Sequence, residues 1–281
     1  MFDKILLLTC LLTASQSHYP QPLSARVLNG HDAVPGEIPF RVSMQWSIPP
    51  FSSRVHFCGG AILDEQWILT RAECVRFIQK YNNTREIVVK TGKNDLGKIE
   101  KSEQTSKIAV VHVNHDFFLD EKRGQVGLVK LSTPLVFNNN VTKIKVAQLT
   151  EGTAKIVTMS GWGPMTDKNS EYTTVLQVAN VRIIPHEDCE KMFHESTWKR
   201  NELTDNIFYE ENFCTERISE TACGGDFGSP ITMTNSSNDT ILVGLTSWGL
   251  VPPCTQPSSP LVFIKIAVFL KWINNIIYAY S

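Results

Sequence analysis

Cys58, Cys74, Cys189, Cys214, Cys223 and Cys254 are the side chains whose type and spacing first suggest chemistry, and thiols offer two kinds. Thiolates ligate zinc when they come in close pairs, but no two of these stand at the Cys-x-x-Cys spacing of a structural zinc site. Apart from Cys10, which stands in the N-terminal apolar run, these form an even set, which in a chain entering an oxidising compartment pairs into disulfides instead, and six cysteines leave the connectivity open. His112 and His115, separated by two residues in an apolar stretch, have no third ligand near them and read as ordinary structural or surface histidines. No metal and no other cofactor is expected. Asn82, Asn140, Asn235 and Asn238 each begin an Asn-x-Ser/Thr sequon, a glycan acceptor that belongs on an exposed loop of a secreted protein. Asn235 and Asn238 are so close that one glycan at most is expected on the pair.

Short β-strands must hold these residues. Runs rich in β-branched and aromatic residues recur at 41–46, 61–70, 86–91, 108–113, 126–131, 155–159, 174–184 and 241–248, between turn-forming clusters. That pattern belongs to an all-β barrel or sandwich. The polar stretch 234–240, flanked by apolar runs, reads as a hairpin tip. One long helical signal lies near the C-terminus, where Val268, Phe269, Trp272, Ile273, Ile276 and Ile277 fall on one face. Lys271 and Asn275 break any membrane-spanning reading, so this helix is expected to pack on the core. A shorter helix is expected to start at Pro185, with acidic Glu187 and Asp188 in its first turn.

Lys4, the apolar run 5–12 and the small residues Ala14, Ser15 and Ser17 read as a secretory leader over 1–17. The run is well short of a bilayer span, so a secreted, extracellular protein is expected. A chain of 281 residues, 42% of them hydrophobic, can bury a substantial core. Its formal net charge of -1 leaves no electrostatic footprint for nucleic acid or an anionic membrane surface.

Five stretches carry a sharper signal: His56-Phe-Cys-Gly-Gly-Ala-Ile-Leu63, Trp67-Ile-Leu-Thr70, Gly161-Trp-Gly163, Cys223-Gly-Gly-Asp-Phe-Gly-Ser-Pro230 and Ser247-Trp-Gly249. In this order they resemble the landmarks of the chymotrypsin-like, or trypsin-like, serine protease family, from about residue 27 to the C-terminus. The resemblance implies an all-β fold of two packed six-stranded β-barrels with a C-terminal α-helix. That domain would occupy 27–281, after the leader and a short propeptide-like segment at 18–26. It further implies the disulfides Cys58–Cys74, Cys189–Cys214 and Cys223–Cys254. Val157 and Met233 stand where the family often carries one more bridge, and the loss of both cysteines together supports the register.

Catalysis in that family needs a hydroxyl nucleophile, an imidazole that takes and returns its proton, and a carboxylate that orients the imidazole. The family's Thr-Ala-Ala-His-Cys reads Thr70-Arg71-Ala72-Glu73-Cys74 here, which puts Glu73 at the histidine position. A carboxylate with an ordinary pKa near ~4.3 is a poor base for a serine hydroxyl. Gln125 holds the position of the orienting aspartate, and Phe227 that of the nucleophile. The resemblance therefore implies a protein that is not an enzyme by this mechanism. The backbone N–H groups of Gly225 and Phe227 would remain as the outline of an oxyanion hole. An enzyme of unrecognised mechanism, using Glu73 with Ser229 or a nearby histidine, is the alternative.

Arg26-Val27-Leu28-Asn29-Gly30 resembles the family's activation junction, and Asp226 matches the aspartate that pairs with the new N-terminus. Cleavage after Arg26 would free the Val27 ammonium to form a buried ion pair with Asp226. The resemblance also maps a substrate pocket. Its base is Thr221, acidic in trypsins, and its wall is Leu261, in place of a glycine, so the pocket is expected to be filled and uncharged. Ser247 and Gly249, which bind substrate backbone in the family, are retained. The function implied is that of a secreted serine protease homologue without catalysis. Such a protein acts as a binding or regulatory partner of extracellular proteases, inhibitors or other proteins in a body-fluid network, immune or seminal.

Overall fold

The structure, a computed structural model, describes residues 30–48, 53–121, 123–147, 155–163, 173–195, 210–216, 226–249 and 261–280. Six antiparallel strands close a first barrel in the order β2 (Arg41–Ser47), β3 (Val55–Ile62), β4 (Trp67–Arg71), β7 (Val126–Leu131), β6 (Gln104–Val113) and β5 (Glu86–Thr91). Strand alternation sorts its residues. Val42 and Met44 on β2 join Ile62, Ile68, Val89, Val129 and Leu131 in the barrel interior. Arg41, Ser43 and Gln45 project from the opposite face of β2 and are buried as well, so that face must be covered by something polar.

The second barrel supplies the cover. Its strands run β9 (Ile156–Gly161), β10 (Gln177–Ile184), β11 (Asn212–Thr215), β14 (Leu261–Lys265), β13 (Thr240–Gly249) and β12 (Pro230–Thr234). The pairing of β12 with β9 closes that ring. Two short strands attach to it: β1 (His31–Asp32) along β10, and β8 (Lys145–Val146) parallel to β13. An apolar layer of Phe40, Ala61, Trp67, Leu69 and Leu128 from the first barrel, with Leu242, Leu245 and Ile264 from the second, joins the two. Fully burying the Phe, Leu and Ile side chains of this layer contributes ~1.5–3 kcal/mol each.

Four helices complete the described chain: α1 (Ala72–Tyr81), α2 (Asp116–Leu119), α3 (His186–Glu195) and α4 (Leu270–Ala279). None is long and apolar enough to cross a membrane. Ile273 of α4 is buried in the layer between the barrels, with Trp272, Ile276 and Ile277 partly buried beside it. The expected two-barrel fold with a C-terminal helix is thus present, and so are the short helix near residue 185 and the hairpin tip between β12 and β13.

Three details differ from the sequence reading. Residues 61–70 form two strands, because the Asp64 carboxylate accepts hydrogen bonds from the Gln66 and Trp67 N–H groups at 2.8 Å and turns the chain. Val268 is 58% exposed, because residues Ile266–Phe269 form a 3-10 turn and three residues per turn rotate it off the apolar face. Helix α1 was not expected at all, although Ala72, Val75 and Ile78 recur on one buried face and Glu73 and Lys80 suit its two ends.

Cys58–Cys74 and Cys189–Cys214 are bonded, each with Cα atoms 6.1 Å apart. The Cys223–Cys254 pair lies outside the described residues. No three His, Cys, Asp or Glu side chains among the described residues gather as a metal site requires. His112 packs edge-on to Tyr280 at 5.0 Å, and His115 is exposed.

Candidate functional site

Glu73 is the second residue of α1, at the point where β4 ends and the Cys58–Cys74 bridge ties the helix to β3. Gln125 leads directly into β7, the strand paired with β4, and its carbonyl accepts the Ala72 N–H at 3.1 Å. Strand pairing therefore sets these two positions side by side. Phe227 comes from the other barrel, on the turn that leads into β12. That turn is threaded between the barrels: Phe227 O accepts the Gly59 N–H at 2.8 Å, and Gly228 N–H donates to Thr246 O at 2.9 Å. Gly228 has φ +76°, and a Cβ there would stand 2.9 Å from both Arg71 N and Gly59 O, so only glycine fits.

A residue that the sequence reading passed over occupies the middle of this constellation. Arg71 is 8% exposed. Its guanidinium donates to Glu73 Oε1 at 2.6 Å and to the Ser247 carbonyl at 2.5 Å, and lies 5.0 Å above the Phe227 ring. Burial lowers its pKa, while the same burial raises that of Glu73 against the pull of the Arg71 charge. Gln125 is turned to the same strand: its Oε1 accepts the Ser247 hydroxyl at 2.5 Å and its Nε2 donates to Glu121 O at 3.1 Å. The Phe227 ring packs against the first barrel's core. Glu73, Gln125, Phe227 and Ser247 are thus brought together as expected, with Arg71 between them.

Leu261 is buried in the second barrel's core with Met159, Phe213 and Phe263, and its backbone pairs with Gly249. Thr221, Gly225, Arg26 and Val27 lie outside the described residues. Ser229 is fully buried, its hydroxyl has no hydrogen-bond partner among the described residues, and a Cβ on Gly59 would sit 2.2 Å from it. Asn82 and Asn238 are exposed, and Asn140 and Asn235 are half-buried.

Asp226, immediately before Phe227, is buried and accepts the Trp162 N–H at 2.8 Å and the Gly163 N–H at 3.1 Å. Burial raises its pKa from 3.8 to about 6, against the opposing charge of Arg41 and the two N–H bonds. A raised carboxylate stabilises the fold fully below its unfolded value, and that contribution is lost as pH rises through about 6. Acidification from pH 7 to 4 should therefore add ~3 kcal/mol from this group at most. Urea midpoints measured across that range, compared with those of an Arg41→Gln/Asp226→Asn double variant in which the rise should vanish, check the sign.

Two closed six-stranded antiparallel barrels, joined by an apolar layer and meeting at one cluster of side chains, define the double-barrel architecture of the chymotrypsin class. The family model for trypsin matches residues 27–273, and the chain belongs to this family of trypsin-like serine proteases. It is 29% identical over 251 residues to trypsin-1 of Astacus astacus, which covers 88% of this chain and 98% of that protein.

Proposed function

We propose that this family member has no protease activity and serves as a secreted binding or regulatory protein among extracellular proteases, inhibitors or other proteins of a body fluid. The observation that carries the reading is the Arg71 guanidinium, closed onto Glu73, the Ser247 carbonyl and the Phe227 ring. A phenyl ring has no nucleophilic atom, a glutamate ion-paired to a buried guanidinium is a poor general base, and the carbonyl at the cleft edge already has its donor. The alternative of Glu73 acting on Ser229 is disfavoured, because that hydroxyl is sealed behind Gly59.

Purified protein treated with a serine-directed fluorophosphonate should remain unlabelled, and stoichiometric labelling at any residue would overturn the non-catalytic half of the reading. Native purification from the source fluid should recover a second protein in fixed ratio. Recovery of the chain alone at native concentration would overturn the binding half.

A further inference from the structure

Arg41 is a charged residue at the start of β2, flanked by Phe40 and Val42 of the two apolar clusters. Its side chain and that of Asp226 are 1% and 4% exposed, and Arg41 Nη2 lies 3.3 Å from Asp226 Oδ1. The same guanidinium donates to the carbonyl of Ser160 and, at 2.9 Å, to its hydroxyl, and it stacks 4.7 Å from the Trp162 ring centroid. Asp226 in turn anchors the Trp162 and Gly163 N–H groups and precedes the turn that carries Phe227. A Cβ on Gly161 would stand 2.2 Å from the Asp226 carboxylate, so strand β9 is shaped to receive that group.

We propose that Arg41 is the standing countercharge of Asp226, and that it orders the 226–229 turn whether or not the chain is cut between Arg26 and Val27. In an uncut chain Val27 has a peptide nitrogen and no ammonium, so a buried carboxylate needs a cation from elsewhere, and Arg41 is in contact with it. Adding the Val27 ammonium to this neutral guanidinium–carboxylate pair would leave one uncompensated positive charge in a buried site, which is costly. Cleavage therefore adds little to the order of this turn. This inference does not depend on the proposed function, because the ion pair has the same geometry whatever the cleft binds.

Two forms of the full chain test it: an Arg26→Gln form that resists cutting at this bond, and a form in which residues 23–26 are replaced by the recognition sequence of a specific protease, cut to leave Val27 at the N-terminus. Their Tm values should agree within ~2 °C, and amide exchange of residues 226–229 should be equally slow in both. Arg41→Gln, which strands the buried carboxylate, should lower Tm by ~10 °C in both forms, and Arg41→Gln/Asp226→Asn should restore most of it. Should Arg41→Gln fail to fold, a folded double variant supports the pair, and a double variant that also fails overturns it. A cut form that melts more than ~5 °C higher, exchanges more slowly and tolerates Arg41→Gln would assign the countercharge to Val27 and overturn the proposal.

Discussion

Gly228→Ala should lower the melting temperature by ~10 °C or prevent folding. An alanine held at φ +76° adopts a left-handed conformation that costs ~1–2 kcal/mol on its own. Its methyl would also meet Thr70 Oγ1 at 2.3 Å and two backbone atoms, Arg71 N and Gly59 O, at 2.9 Å. The hydroxyl can rotate away, but the backbone atoms belong to paired strands of the first barrel and cannot. The sum of ~3–5 kcal/mol is a large share of a typical domain's stability. Gly97→Ala is the control, because its nearest neighbours would be 3.3 and 3.4 Å away and its backbone needs no left-handed angle; it should change Tm by ~2 °C or less. Thermal unfolding of the two variants decides the point. Equal melting temperatures would mean that the 226–229 turn is not seated between Gly59 and Thr70.

The barrels were legible because a strand announces itself locally. Val and Ile runs such as 86–91 and 126–131 coincide with β5 and β7 to the residue, and the Gly-Trp-Gly and Ser-Trp-Gly landmarks fix the order in which strands follow one another. Boundaries failed where a polar side chain redirected the backbone, as Asp64 does, or where helix pitch changed, as it does before Leu270. Glu73, Gln125 and Phe227, which the structure brings to one place around Arg71 and Ser247, each sit inside a short recognisable motif.

The two arginines were not legible, and the reason is physical. Arg71 reaches Ser247 across 176 residues, and Arg41 reaches Asp226 across 185. Nothing in Phe40-Arg41-Val42 indicates which distant group will neutralise the charge, and nothing in Thr70-Arg71-Ala72-Glu73 indicates that this neighbouring pair will close on the Ser247 carbonyl. The one available signal was the anomaly itself. A charge in an otherwise apolar strand must be paired if it is buried, so each arginine predicted an acidic partner without naming it. Glu73 and Asp226, both already singled out for other reasons, were those partners.

Arg71 also changes what restoring the site requires. The triple variant Glu73→His, Gln125→Asp and Phe227→Ser places all three catalytic residue types at their positions, yet it should neither cleave arginyl esters nor react with a fluorophosphonate. Replacing Glu73 removes the carboxylate that balances Arg71, and the unbalanced guanidinium then lies against the new imidazole. A cation ~4 Å away in partly buried surroundings opposes the imidazolium of the transition state by ~4 kcal/mol, roughly a thousandfold in rate. Adding Arg71→Ala removes that charge and frees the Ser247 carbonyl, so the fourfold variant should be labelled by the fluorophosphonate, a reagent that needs an activated hydroxyl and no occupied pocket. Arginyl substrates should remain poor until Leu261→Gly and Thr221→Asp are added, because a scissile carbonyl that is not anchored forfeits much of the ~7–11 kcal/mol available from positioning. Labelling and turnover thus separate two obstacles. A triple variant that turns over arginyl esters as a working protease does would show that neither obstacle exists. A folded fourfold variant that stays unlabelled would show that Arg71 is not what silences the restored triad.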